Sequence, residues 1–220
     1  MKNRLYNFII FDVTEHCYEN CLNYFPDHSK ILDVGIGNGS MLKKYHHLIK
    51  SKSLKFTGID VNQSYINHCD RLIRTYQLEH QIEIYNEPVE AFEPPEKKYF
   101  DFVLFSMSFM LFNNQGLVLD RIKDYLKPGG EIVFFQTMFK EKFGLMEFIK
   151  PKLKYITTID FGKVTYEKNF FSLLDEKNLS ISQDRLIKRE WFKGEYRMIV
   201  TSFKNGKMND LPKATPINPT

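Results

Sequence analysis

The stretch Ile31-Leu32-Asp33-Val34-Gly35-Ile36-Gly37-Asn38-Gly39-Ser40 decides the fold of this 220-residue chain. It opens on an apolar run, Ile31, Leu32 and Val34, broken by one carboxylate, Asp33. Glycines follow at alternate positions, and Met41-Leu42-Lys43-Lys44-Tyr45 then starts a helix. A buried parallel strand, a tight turn and a helix N-terminus give this pattern. Without Cβ atoms the turn can adopt φ > 0 and lie close against a ligand. The helix behind it offers free N–H groups and a partial positive charge.

The spacing selects among ligands. In the dinucleotide fingerprint G-x-G-x-x-G the third glycine follows the second by three residues. Here Gly39 follows Gly37 by two, and position 40 is Ser. Asp33, two places before the first glycine, would repel a pyrophosphate and attract a ligand carrying an ammonium and a sulfonium. The stretch resembles motif I of the class I S-adenosylmethionine-dependent methyltransferases, Asp/Glu-x-Gly-x-Gly-x-Gly. Asp33, Gly35, Gly37 and Gly39 match it at every fixed position.

Length and composition are compatible with this. The chain suits one domain with a full core. Hydrophobic residues at 43% and charged residues at 26% are ordinary for a globular protein. The 20 Phe and 12 Tyr predict a bulky core and an aromatic-lined pocket. A net charge of +4, with basic residues spread along the chain, gives no case for nucleic acid as a partner. Three cysteines, Cys17, Cys21 and Cys69, are an odd count for a disulfide framework and read as free thiols. No His or Cys spacing suggests a metal. No apolar run reaches the ~18 residues of a membrane helix, and Asp12 ends the short apolar N-terminal stretch without a cleavage site. The expectation is a cytoplasmic protein with no membrane partner.

Taken in order, residues 4–25 have helical periodicity. By resemblance to the family this helix forms an N-terminal lid, residues 1–27, with Tyr6, Phe11, His16 and Tyr18 as cleft candidates. After a helix at about 41–50, Leu54 through Asn62 read as a second strand ending in Asp60. This carboxylate lies 25 residues beyond Gly35, near the ~20 expected for a ribose-binding acid. A carboxylate can accept from two adjacent hydroxyls. The family uses the acid at this place for the ribose, and Val61 would then lie against the adenine face. The alternative for Asp60 is a cap on the helix 62–77.

A third strand, 81–85, leads to Asn86-Glu87-Pro88-Val89. Many family members carry an Asp here for the adenine amino group. Pro88 stands at that place, so the contact is left to Glu87, Asn86 or the Val89 backbone N–H. The fourth strand, 99–109, resembles motif IV and ends in Ser106, Met107, Ser108 and Phe109, the residues beside the transferring methyl. Neither the Asn/Asp-Pro-Pro-Tyr/Phe signature nor a His or Glu at position 107 is present, so no catalytic residue is assigned.

Residues 113–126 read as a helix ended by Lys127-Pro128-Gly129-Gly130, with a fifth strand at 131–136. Residues 137–164 read as irregular, aromatic-rich and acceptor-shaping. Thr165 is the expected N-cap of the last helix, and Gly194 is expected in a hairpin turn between strands 180–188 and 195–203, with Trp191 at its edge. Residues 204–220 read as a disordered tail.

The expected architecture is α/β, a Rossmann-like, seven-stranded, mostly parallel sheet with helices on both faces and a C-terminal antiparallel hairpin, spanning 28–203. The resemblance implies S-adenosylmethionine as cofactor and methyl transfer to a small-molecule acceptor. Its site is Asp33, Gly35, Gly37, Gly39, Asp60, Val61, Glu87, Val89 and Ser106. The alternatives are a non-catalytic cofactor binder, a methyltransferase acting on a protein, and, disfavoured by the glycine spacing, a nicotinamide-dependent oxidoreductase.

Overall fold

The computed structural model describes residues 18–140, 164–189 and 194–204. Residues 1–17, with Tyr6, Phe11 and His16 of the expected N-terminal lid, the segment 141–163, residues 190–193 with Trp191, and residues 205–220 lie outside the described residues. The strands are β1 (Lys30–Val34), β2 (Lys55–Ile59), β3 (Ile82–Tyr85), β4 (Phe100–Ser106), β5 (Leu126–Phe139), β6 (Leu179–Arg189) and β7 (Gly194–Phe203). The helices between them are α1 (Ser40–Ser51), α2 (Gln63–Thr75), α3 (Gln115–Tyr125) and α4 (Glu167–Glu176). Residues 18–24 are also helical.

The strands form one seven-stranded sheet in the order β3-β2-β1-β4-β5-β7-β6. Pairs among β1 to β5 are parallel, and β7 pairs antiparallel with both β5 and β6. Strand order reverses between β1 and β4. Ligands of open α/β sheets bind outside the carboxyl ends of the strands at such a point. Here that is the crevice bounded by Val34–Gly35 and Ser106–Met107.

Alternation along the strands separates two cores. Ile31, Phe56, Phe102, Leu104, Val133 and Phe135 face α1, α2 and residues 18–25. Cys21, Leu22 and Phe25 are buried in this core, and the Phe25 ring centroid lies 5.0 Å from that of Phe102. Leu32, Val34, Val103, Phe105, Ile132 and Phe134 face α3 and α4. Phe105, Phe109, Phe134 and Phe170 pack as one aromatic cluster, with Phe109 and Phe134 centroids 4.8 Å apart. Each buried Phe contributes about 1.5–3 kcal/mol of burial free energy. Much of the phenylalanine thus fills the core.

Several boundaries differ from the sequence expectation. α3 stops at Tyr125 and β5 begins at once: Leu126 pairs with Phe100 and Glu131 with Phe102. Lys127-Pro128-Gly129-Gly130 bulges out between the two pairs. Gly129 has φ 79°, and a Cβ on Gly130 would lie 3.0 Å from the carbonyl oxygens of Asp101 and Lys127. β5 also continues to Phe139, because β7 pairs with it as far as Gly194. Gly194 is therefore a strand residue, not a turn residue. The cap of α4 is Tyr166, without a side-chain bond, since the Thr165 carbonyl accepts from Phe139 N–H at 2.9 Å.

The α4–β7 contact carries the main charge cluster. Arg197, 10% exposed, donates to Asp184 through Nε at 2.8 Å and lies 3.0 Å from Glu167. Its guanidinium carbon stands 5.3 Å from the centre of the Phe171 ring.

Candidate functional site

The turn after β1 is built from three left-handed residues, Gly35, Gly37 and Gly39, with φ of 82°, 63° and 73°. The Ile59 carbonyl at the end of β2 anchors it, accepting from Gly35 N–H at 2.8 Å and Ile36 N–H at 3.2 Å. The glycines have different neighbours. A Cβ on Gly35 would stand 2.6 Å from Ser108 Cβ, and one on Gly39 would stand 3.0 Å from Cys69 Sγ and 2.9 Å from Leu72 Cδ1. A Cβ on Gly37 would meet nothing within 4 Å. Gly35 and Gly39 are required by packing, whereas Gly37 faces an opening.

Asp33 lies near the end of β1, two residues before Gly35. It is 1% exposed, and its Oδ1 has no hydrogen-bond partner. Burial, and next the Asp60 carboxylate, push its pKa up to about 7. Ser106 follows Leu104, the β4 partner of Asp33, by two residues and so shares its face of the sheet. Its hydroxyl is also buried without a partner. The Cys69 thiol donates to the Gly37 carbonyl at 3.3 Å. Burial, and then the carboxylates, push the Cys21 and Cys69 thiols up to about 12.

Asp60 follows β2. Its Oδ2 accepts from Gly37 N–H at 2.9 Å and its Oδ1 from Asn62 N–H at 2.8 Å. It is not the cap of α2; Asn62 is, accepting from Ser64 N–H at 3.0 Å. Asn86 donates through Nδ2 to the Asp60 carbonyl at 2.9 Å. Val61 is 72% exposed, an apolar side chain presented to solvent beside the turn. Glu87 is half-buried, and the Val89 side chain packs into the core with Val34 and Ile59. The glycine turn, Asp33 and Asp60 thus lie at the carboxyl ends of β1 and β2, with Ser106 at the end of β4 on the Asp33 face of the sheet. Val61 is exposed beside Asp60, Glu87 is half-buried after β3, and the Val89 side chain is in the core.

The sequence singles out Ser108 and Met107 at the end of the fourth strand but not the roles the structure gives them. Ser108, 4% exposed, donates through Oγ to the Val34 carbonyl and clamps the loop after β4 onto the glycine turn. Met107 sits at φ 57°, held by its N–H donating to the Phe135 carbonyl at 2.8 Å. Such backbone strain gathers at functional sites. Nothing in Ser106-Met107-Ser108 marks either role; both come from β1 and β5 flanking β4. Among the described residues no group of three or more His, Cys, Asp or Glu is placed to hold a metal ion. None of their helices is long and apolar enough to cross a membrane.

Comparison with known proteins agrees with this geometry. Residues 31–130 match the family model for a methyltransferase domain. The chain is 26% identical over 159 residues to the ubiquinone/menaquinone biosynthesis C-methyltransferase UbiE of Wigglesworthia glossinidia brevipalpis, covering 72% of this chain and 58% of that protein. It is 25% identical over 177 residues to malonyl-[acyl-carrier protein] O-methyltransferase 2 of Ilyobacter polytropus, covering 79% and 62%. The chain thus spans about three fifths of the length of these curated relatives. In fold it is similar to geranyl diphosphate C-methyltransferase from Streptomyces coelicolor A3(2), crystallised with Mg2+, geranyl diphosphate and S-adenosyl-L-homocysteine. That likeness has a TM-score of 0.68 at 10% identity, over 84% of this chain and 75% of the other. With the matched domain opening on Ile31, and the glycine turn and its two carboxylates lying at the switch point of a sheet in this order, residues 31–130 match a methyltransferase domain, and the chain is similar to the class I S-adenosylmethionine-dependent methyltransferases.

Proposed function

We propose that the chain binds S-adenosylmethionine over the glycine turn and transfers its methyl group to a small-molecule acceptor. The observation that carries this reading is the buried Asp33 carboxyl, with one oxygen unpartnered, at the end of the strand that leads into the glycine turn. A buried polar atom without a partner is costly, and an ammonium from the cofactor is a group that would satisfy it. Each Asp60 oxygen already accepts one backbone N–H and keeps a lone pair for a ribose hydroxyl. The exposed Val61 suits the adenine face, with Asn86, Glu87 and the Val89 N–H at the ring edge and Ser106 toward the amino-acid end.

When bound, the cofactor supplies a methyl group on a sulfonium, which is already a strong leaving group. The chain's task is then alignment and exclusion of water, and proximity alone lowers such barriers by several kcal/mol, of order 7–11 in the best cases. The residues at the end of β4, Ser106, Met107, Ser108 and Phe109, include no titratable base. This favours an acceptor that arrives as a ready nucleophile. It also gives the alternative, a cofactor-binding protein without transfer, its one specific support. A small acceptor suits the name of one relative, which points to quinone biosynthesis, while that of the other, malonyl-[acyl-carrier protein], names an acyl group carried on a protein; neither names a nucleic acid.

Calorimetry with S-adenosylmethionine and S-adenosylhomocysteine tests the binding half: both are expected to bind, and no binding sinks the reading. Incubating the protein with isotope-labelled cofactor and a metabolite extract tests the transfer half. A product that gains one labelled methyl is expected. Binding without any labelled product establishes the alternative.

A further inference from the structure

We propose that Asp33 holds a proton while the cofactor site is empty and releases it to solvent when a cationic ligand enters, so that binding is coupled to pH. The inference rests on the cofactor reading above and concerns how the site recognises charge. The groups facing Asp33 come from four elements. Asp60 follows β2 and bears a carboxylate. Cys69 on α2 and Cys21 in the helical residues 18–24 bear thiols, and Ser106 on β4 a hydroxyl. None of these carries a positive charge, and one of them is an anion.

An ionised carboxylate at this place would be dry, next to a second carboxylate and without a countercharge. Taking such a group out of water costs several kcal/mol, and it neutralises instead. The unpartnered Oδ1 has no donor to offset this. The shift of the carboxyl to about 7 follows from the same surroundings, burial first and Asp60 second.

Entry of a ligand ammonium or sulfonium supplies the missing positive charge. The proton then leaves the Asp33 oxygen for buffer, and the carboxylate keeps both O–H bonding electrons. No bond to the ligand forms. The free energy of ion pairing is partly offset by deprotonation below the titration midpoint and not above it. Affinity therefore rises about tenfold per pH unit up to about pH 7 and levels off above it.

The test is calorimetric titration of the full chain with S-adenosylmethionine between pH 5.5 and 7.5, in two buffers of different ionisation enthalpy. At pH 6 the difference between buffers is expected to report close to one proton released per cofactor bound. 5′-Methylthioadenosine, which has neither ammonium nor sulfonium, is expected to release none. Difference infrared spectra of the unmodified protein give a readout free of any variant: the carbonyl band of a protonated carboxyl disappears on adding S-adenosylmethionine. Asp33→Asn is expected to bind more weakly, with a flat pH profile and no proton release. Tight, pH-independent binding with no proton released overturns the proposal and leaves the cofactor reading standing. Absence of binding at every pH removes the cofactor reading and the proposal with it.

Discussion

Replacing Gly35, Gly37 and Gly39 by alanine one at a time separates what the turn does for folding from what it does for binding. All three pay for φ > 0, about 1–2 kcal/mol for a residue with a Cβ. Gly37→Ala adds only this, because its methyl enters open space. Gly39→Ala adds contacts at 2.9 Å to Leu72 Cδ1 and 3.0 Å to Cys69 Sγ. Forcing a methyl into a packed site costs a further ~1–3 kcal/mol, and the flexible Leu72 places it low in that range. Gly35→Ala meets Ser108 Cβ at 2.6 Å, an atom tied directly to backbone, so the loop after β4 must move and the cost is at the upper end. Urea unfolding should therefore rank the losses Gly35 > Gly39 > Gly37, with totals of about 4–5, 2–4 and 1–2 kcal/mol. Calorimetry with S-adenosylmethionine should rank differently. Gly37→Ala, the most stable of the three, should lose at least tenfold in affinity because its methyl occupies the ligand's approach. Adding Ser108→Gly to Gly35→Ala should restore part of the stability, and a double-mutant cycle measures how much. A Gly37→Ala protein as destabilised as Gly39→Ala, yet binding the cofactor like the parent, would refute the reasoning.

Further expectations concern charged groups. Asp60→Ala should weaken cofactor binding by ~1–3 kcal/mol, the cost of losing a charged hydrogen-bonding partner; unchanged affinity by calorimetry removes Asp60 from the site. Arg197→Met should destabilise the fold by about 3 kcal/mol in urea, since it takes the cation from Asp184 and Glu167, while Glu195 keeps Arg189 and Lys140. A change under 1 kcal/mol would show that the cluster contributes little. Asp33 also links stability to pH. The raised carboxyl keeps its proton in the native state after the unfolded chain has lost it, so the native state binds more protons between about pH 4 and pH 7. Stability of the ligand-free protein should fall as pH rises through that window and level off above it. Asp33→Asn should remove the slope and be the more stable protein at pH 8, by a few kcal/mol in urea. Parallel profiles for parent and variant would exclude a buried, proton-holding Asp33.

The sheet and the glycine turn were legible because their physics is local. Ile31 to Gly39 carries its apolar run, its carboxylate and its turn within one stretch. Asp60 is readable because a second strand must end about one βα unit later. What stayed hidden depends on residues far apart in sequence. The Ser108 clamp exists because β4 lies beside β1, and no local signal at Ser108 reports that neighbour. Met107 adopts φ 57° because Phe135 holds its N–H, against the preference of a methionine. β5 runs further at both ends than its local sequence indicates. Its start is a bulge that looks like a helix stop, and its finish is set by pairing with β7. Thr165 has the chemistry of a cap, but Phe139 takes its carbonyl and the cap falls one residue later.

The position of Cys69 has a practical consequence. Its sulfur lies under the glycine turn, hydrogen-bonded to the Gly37 carbonyl, and burial leaves almost no thiolate near neutral pH. Alkylating reagents can reach it only when α2 and the turn separate. The rate of its modification, followed by mass spectrometry, is therefore a clock for local opening at this one point. Ligand that slows that clock is holding the turn closed, and the ratio of the two rates gives the extra protection without any engineered label.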